Sequence, residues 1–476
     1  MSLCQVSRLV TAVGMAFCIS SGIGASEPGM LTADSLAHSP LVATVGSAEF
    51  SFDDSQWWRG FNDPLLDTLV VIGLDHNYDV MSSVARLAQA RAAIDAARAG
   101  YYPSLSVSAG YTRSRESGAA RGRDVDATTT GYFGLGVDLN WQIDVFGKIT
   151  ARVDRSKASF RASRAELDAT RLSVSAAIAT AYINLRLLQA ERTVANEHLK
   201  SQQKVLDMAK ARYEAGLGSK LMVAQQATVY YSTLATMPGL DSSIAAAYNA
   251  LTILLGEIPG TVNERLEQDV ALPEARILIA RKVPADLLRR RPDLAAAEAE
   301  VAAAARSVGI ARKDYLPTLS IEGSVGTSAH NIGDLFSNNS FTYAVAPTLS
   351  WTVFDGFGRR AAVADARAAM EAAVDSYNLA VVGAVADVNN AINSYSASLR
   401  QIDAYARVMA ESKEAVDLSV DLYRGGLTAI TDVTEAQINY LSSTNSWLEA
   451  RAKALRSLVT LYEALGGGWD ISQLND

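Results

Sequence analysis

Apolar residues occupy alternate positions at Leu105, Val107, Ala109 and Tyr111, and again at Phe133, Leu135, Val137, Leu139, Trp141 and Ile143. Between the second set stand Gly134, Gly136, Asp138, Asn140 and Gln142. A period of two puts one set on each side of a strand. The two runs flank a polar stretch rich in Arg, Gly and Thr, Arg113–Thr130, and predict a β-hairpin over about 103–143 with one apolar and one polar face. The period then changes. From about Val145 to Tyr213 the apolar positions, among them Leu167, Val174, Ile178, Leu185, Leu188 and Leu199, step by three, four or seven, which is the spacing of one helical face. Gly216 and Gly218 break that helix, and a second is expected over Lys220–Leu255. Upstream, Trp57, Trp58, Phe61 and Pro64 open a short helix to about His76, and an alanine-rich helix follows over Asp79–Gly100.

The second half repeats this pattern about 210 residues later. Pro317-Thr-Leu-Ser matches Pro103-Ser-Leu-Ser, Trp351 matches Trp141, and Phe357-Gly358 matches Phe146-Gly147. Tyr423–Leu427 matches Tyr213–Leu217, and Leu465-Gly466 matches Leu255-Gly256. A second hairpin is expected over about 317–353 and a second pair of long helices from about Gly358, with tips near 216–219 and 424–432. The division that follows is 57–256 and 293–468 for the repeats, a proline-bearing linker at 257–292, an extended segment at 26–56 and a tail at 469–476. A helix of ~65 residues is ~100 Å long, too long for a compact domain, so coiled-coil-like packing of helices is expected.

The second tip, Tyr423–Gln437, stands out. Gly425 and Gly426 end one helix, and Thr428 or Thr431 is placed to cap the next. Asp432 and Glu435, three apart, share a helical face. The sister tip, Tyr213–Gln226, lacks these two acids.

Composition narrows the function. Residues 1–25 carry one charge, Arg8, then an apolar run Leu9–Ile19 and small residues to Ala25, the pattern of an export signal. Both cysteines, Cys4 and Cys18, lie in it, so the exported chain has no thiol chemistry. The net charge of −8, with no basic patch interleaved with aromatics, argues against nucleic acid. The four histidines, His38, His76, His198 and His330, are scattered without metal-ligand spacing, so no metal site and no cofactor is expected. Nucleophile motifs, phosphate loops and paired catalytic carboxylates are not seen, and an enzyme is not expected. The run Arg289–Arg291 reads as a solvated or interdomain surface.

Strands with one apolar face suit a membrane barrel, because only helices and closed barrels satisfy every backbone group in lipid. Four strands cannot close alone, so several copies would share one barrel. A diffusion porin is disfavoured by the helical majority of the chain, and a soluble coiled-coil scaffold by the apolar strand faces.

The order of several motifs carries a resemblance. They are Trp57-Trp58-x-x-Phe61-x-Asp63-Pro64, Arg290-Arg291-Pro292-Asp293, Tyr315-Leu-Pro-Thr-Leu-Ser, Phe354-Asp355-Gly356, Tyr423-Arg424-x-Gly426 and Glu435-Ala-Gln437. Over residues 56–468 the chain resembles the outer-membrane efflux channels typified by TolC and OprM, more closely the OprM branch. The resemblance implies a mainly α fold with a membrane β-barrel portion. It implies a homotrimer whose twelve strands, four per chain, form one barrel in outer-membrane lipid above a long periplasmic helical barrel. It implies a gated passive duct for drugs or other small toxic compounds, driven by an inner-membrane pump of RND or ABC type through a periplasmic adaptor. It places the periplasmic gate at Glu435, Asp432 and Tyr423, and adaptor docking at Gly216, Leu217, Gly218 and Ser219 with Gly426, Leu427 and Thr428. Three positions depart from the pattern. Thr428 stands where TolC-like tips have an arginine, Met222 where they have an aspartate, and Cys18 follows bulky Phe17 rather than the small residues of an OprM-like lipidation signal.

Overall fold

Two helical runs of equal build dominate the molecule. The computed structural model describes residues 29–31, 42–43, 56–121, 126–261, 266–267, 271–274, 283–284 and 290–467. The export signal at 1–25, Cys18 and the tail at 469–476 lie outside the described residues, as do most of the 26–56 segment and much of the linker. Helices α1 (Pro64–His76) and α2 (Tyr78–Ala99) precede strands β1 (Ser104–Glu116) and β2 (Thr128–Ile143). Helices α3 (Lys148–Glu214) and α4 (Lys220–Leu254) follow. The second half has α5 (Pro292–Lys313), β3 (Thr318–Ala329), β4 (Phe341–Ser350), α6 (Gly358–Arg424) and α7 (Ile430–Ala464). The counterparts match in length: 22 residues for α2 and α5, 67 for α3 and α6, 35 for α4 and α7.

A long helix is flanked by two shorter ones laid end to end, and the junction in each half is a side chain. In the first half Asn77 caps two helices at once. Its Oδ1 accepts from Asp79 N at 2.8 Å and Val80 N at 3.2 Å, opening α2, while its Nδ2 donates to Leu254 O at 2.9 Å, closing α4. In the second half Arg291 does this work. It precedes Pro292 at the first position of α5 and donates to Ala464 O at 3.1 Å, at the end of α7. The same guanidinium pairs with Asp293 at 2.8 Å and with Asp387 of α6 at 3.5 Å, and its side chain is only 13% exposed. Of the Arg289–Arg291 run, Arg291 is thus a junction tie rather than a solvated charge; Arg289 lies outside the described residues.

The main core lies at this level. Trp57, Trp58 and Phe61 pack with Leu66, Leu69 and Val70 of α1 against Ile178, Tyr182 and Leu185 of α3 and Leu458, Leu461 and Tyr462 of α7. Each fully buried leucine contributes about 1.5–3 kcal/mol. Trp57 stacks on Tyr462 with ring centroids 5.2 Å apart and donates to Ser175 Oγ at 3.3 Å. A polar chain crosses the core: Tyr182 OH donates to Asp63 Oδ2 at 2.6 Å, and Arg186 Nε donates to Tyr182 OH at 3.1 Å. Burial, with the carboxylate adding to it, raises the Tyr182 pKa and keeps the phenol a donor.

Asp168 of α3 is buried without that support. Among the described residues one carboxylate oxygen has no hydrogen-bond partner, and Arg171 stands 3.7 Å from the other oxygen. Burial pushes its pKa up to about 6 against the opposing pull of Arg171 and Arg164. A folded pKa above the unfolded value means that stability is lost as pH rises from about 4 to about 6. Asp168→Asn is therefore expected to stabilise the protein by about 1–2 kcal/mol at pH 7 and by nothing near pH 3.5. Unfolding midpoints of the two proteins in detergent at both pH values check this.

The four strands form one antiparallel sheet in the order β1-β2-β3-β4, with a further short parallel pair, Val42–Ala43 with Val283–Pro284, elsewhere. The register aligns like with like. Leu105, Leu139, Gly323 and Val345 share one row, and Val107, Val137, Val325 and Tyr343 another. The rows between run Ser106, Asp138, Ser324, Ala344 and Ser104, Asn140, Glu322, Ala346. Among the described residues no helix is long and apolar enough to cross a membrane.

Candidate functional site

Two regions have the geometry of a working site: the open sheet and the paired helical tips at the far ends of the long helices.

The sheet leaves β1 and β4 as free edges, and nothing among the described residues covers its apolar face. Val107 and Tyr343 are 76% and 77% exposed, although each sits in a row of apolar neighbours. An aqueous sheet of this kind would be an aggregation site, whereas lipid and further strands satisfy both the face and the edges. At the end joined to the long helices, Trp141 Nε1 donates to Tyr101 O at 2.9 Å, and its repeat partner Trp351 donates to Tyr315 O at 3.0 Å. Tyr102, Phe354 and Phe357, close to these in sequence, are exposed, as are the aromatic residues of a belt at a membrane boundary.

At the tips the sequence folds twice in the same way. The Leu217 N–H returns to Arg212 O at 2.8 Å, and the Leu427 N–H returns to Leu422 O at 2.9 Å. These turns need left-handed backbone at Gly216 (φ +75°) and Gly426 (φ +73°), which side chains other than glycine take only at a cost. Leu217 and Leu427 are left projecting into solvent. Ser219 caps α4, its Oγ accepting from Met222 N at 3.4 Å. The second tip differs from the expected cap. Ala429 holds the cap position, Thr431 lies inside α7, and the Thr428 hydroxyl bonds the Asp432 carboxylate. Asp432 also accepts from Ala429 N at 3.3 Å, so this acid ties the turn as well as facing the helix dipole.

Asp432 and Glu435 are both exposed on α7. Among the described residues Glu435 makes no hydrogen bond or ion pair. Tyr423 does not join them. It is 2% exposed and packs with Ile430, Val433 and Val205 of α3 on the other side of the turn. Met222, where TolC-like chains are expected to have an aspartate, joins that apolar cluster, and the Tyr423 hydroxyl has no hydrogen-bond partner among the described residues. What holds the two tips together is Arg212 of α3. Its guanidinium lies 5.0 Å from the Tyr423 ring centroid and donates to Tyr423 O at 2.6 Å, satisfying a carbonyl at the end of α6. Below it, buried Gln226 of α4 donates to Gln437 Oε1 at 2.9 Å and accepts from Thr434 Oγ1 at 3.1 Å. The repeat would have flagged Arg212, because its counterpart is apolar Leu422.

The model of the family described as "Outer membrane efflux protein" matches residues 69–257 and 283–467, nearly all of both halves. The chain belongs to the outer membrane efflux protein family. Among its relatives is the pyoverdine export outer membrane protein OpmQ of Pseudomonas aeruginosa, 29% identical over 459 residues and 95% of each chain. Among solved structures, the outer-membrane channel OprN aligns with a TM-score of 0.82 at 30% identity, covering 88% of this chain and 94% of its own. The outer membrane protein VceC of Vibrio cholerae aligns with a TM-score of 0.79 at 26% identity, covering 88% and 100%.

Family membership orients the molecule. This outer membrane efflux protein is a transport channel with its sheet in the outer membrane of a Gram-negative bacterium and its long helices in the periplasm. The helical tips then lie in the periplasm.

Proposed function

We propose that three copies of this chain form a gated passive duct, the outer-membrane part of a tripartite pump that exports drugs or other small toxic compounds. The observation that carries this reading is the sheet itself: four strands, two free edges and an uncovered apolar face. Three such sheets give twelve strands, within the range of closed barrels, and turn the Ser, Thr, Gly, Asp138 and Glu322 positions of the other face toward a wet lumen. Energy comes from an inner-membrane pump of RND or ABC type. A periplasmic adaptor docks on the projecting Leu217 and Leu427 and the Gly216, Gly218, Ser219, Gly426 and Thr428 turns around them. Membrane fractionation with unheated gel mobility tests the reading. A detergent-stable trimer from the outer membrane supports it, and a soluble monomer ends it.

In such a trimer Glu435 and Asp432, with Tyr423 behind them, line the periplasmic constriction. Like charges close to a threefold axis concentrate cations. Asp432→Ala/Glu435→Ala is expected to weaken cation preference and loosen closure. Single-channel recordings under a salt gradient measure both, and an unchanged reversal potential and conductance would sink the gate assignment. Glu435 is the stronger contributor, because its carboxylate is not engaged by the turn as that of Asp432 is.

A further inference from the structure

Strand β1 carries two arginines where lipid begins to give way to water. Outward-facing positions on β2 are apolar from Ile143 through Trp141, Leu139, Val137 and Leu135 to Phe133. Ten residue steps at ~3.3 Å each, tilted ~40°, make a band ~25 Å tall, the height of a bilayer's hydrocarbon. Tyr111 pairs with Phe133 at the top of this band, their ring centroids 4.7 Å apart. The next two outward positions on β1 are Arg113, opposite Gly131, and Arg115, opposite Thr129. Period-two alternation places both on the face of Leu105, Val107 and Tyr111, not on the lumen face. Both are exposed, and neither makes an ion pair or hydrogen bond among the described residues. Opposite Arg113, Gly131 is covered by the Tyr111 ring, and a Cβ there would fall 2.5 Å from Tyr111 Oη.

We propose that Arg113 and Arg115 bind the phosphates of outer-leaflet lipopolysaccharide, three such sites per channel. The inference rests on the barrel reading. Two unpaired guanidiniums about 7 Å apart along one strand face, just above an aromatic pair, meet the outer leaflet at the depth of its phosphorylated headgroups. Guanidinium binds phosphate through paired N–H donors, and the neighbouring Gly131 and Thr129 bring no competing carboxylate. The lumen-facing Glu116 and Asp138 are on the other side of the sheet.

The test uses purified full-length trimers, wild type and R113Q/R115Q, equilibrated with lipopolysaccharide or with enzymatically dephosphorylated lipopolysaccharide, and counts retained lipid by native mass spectrometry. Wild type is expected to retain the phosphorylated lipid roughly ten-fold better than the dephosphorylated one, and R113Q/R115Q to lose that preference. Inorganic phosphate at millimolar concentration should not displace the lipid; displacement would make the site one for free phosphate and overturn the proposal. Equal retention of the two lipids by wild type overturns it whether or not the variant assembles. Unheated gel mobility reports the trimer separately, so loss of the barrel is not confused with loss of this site.

Discussion

Arg212→Ala is expected to leave the channel ajar. Arg212 is the charged contact that bridges the two tips within one chain, and it acts in two ways. Its guanidinium covers the Tyr423 ring, worth about 0.5–2 kcal/mol, and it donates a charge-assisted hydrogen bond to the Tyr423 carbonyl, worth about 1.5–3 kcal/mol. Allowing for water that replaces part of the lost bond, about 2–3 kcal/mol of tip-to-tip attachment disappears. A population of separated tips then rises about 30- to 150-fold. The readouts are resting conductance in planar bilayers and cellular uptake of an antibiotic too large for intact outer membranes. Arg212→Lys keeps the charge but not the fork that reaches ring and carbonyl together, and should fall between. The apolar cluster of Val205, Ile430, Val433 and Met222 remains in both variants, so assembly should survive. A resting conductance equal to wild type in Arg212→Ala would show that this cluster and the Gln226 bonds to Gln437 and Thr434 hold the tips without it.

Asp63→Ala is expected to cost the most in stability. Asp63 is 7% exposed and serves two structures. One carboxylate oxygen caps α1, accepting from Leu65 N at 3.0 Å and Leu66 N at 3.2 Å, and the other receives the Tyr182 hydroxyl. Alanine removes the cap, about 1 kcal/mol, and the negative charge from a core that also encloses Arg186. Leaving the buried Tyr182 hydroxyl without its charged acceptor brings the loss to about 2–4 kcal/mol. Little trimer should then appear on unheated gels, with wild-type transcript levels. Asp63→Asn keeps an oxygen for the cap and should retain most assembly. Equal trimer yield from Asp63→Ala and wild type would remove the Asp63–Tyr182–Arg186 chain from any account of folding.

The elements were legible because each has a period. Two-residue alternation marks Leu105–Tyr111 and Phe133–Ile143, and steps of three and four mark the long helices. The repeat added the fold's internal symmetry. What periodicity cannot say is which helix covers a given apolar face. Tyr213 and Tyr423 are equivalent in the repeat, yet Tyr213 is half exposed and Tyr423 is buried under Arg212. The same limit hid the junctions, where Asn77 and Arg291 reach across 177 and 173 residues of chain to close a helix they do not belong to. It also led to Thr428 and Thr431 as caps where the backbone turns one residue away, at Ala429. The register of the repeat shows a related slip. Phe357, not Gly358, takes the left-handed conformation that Gly147 has in the first half (φ +70° and +69°), so the matched Phe-Gly pairs are offset by one residue. The acids of the gate were visible as sequence, but their difference in engagement needed coordinates.

The equal lengths of the two helical runs carry an evolutionary consequence. Each residue inserted into α3 would move its tip ~1.5 Å along the helix axis, and a heptad would move it ~10 Å. Arg212 would then miss Tyr423, and Gln226 would miss Gln437. An insertion in one half can persist only if α4 lengthens with α3 and the second half follows in step. Lineages of this chain should therefore change their periplasmic reach in paired, heptad-sized increments, while the turns on the outer side of the barrel are free to vary one residue at a time.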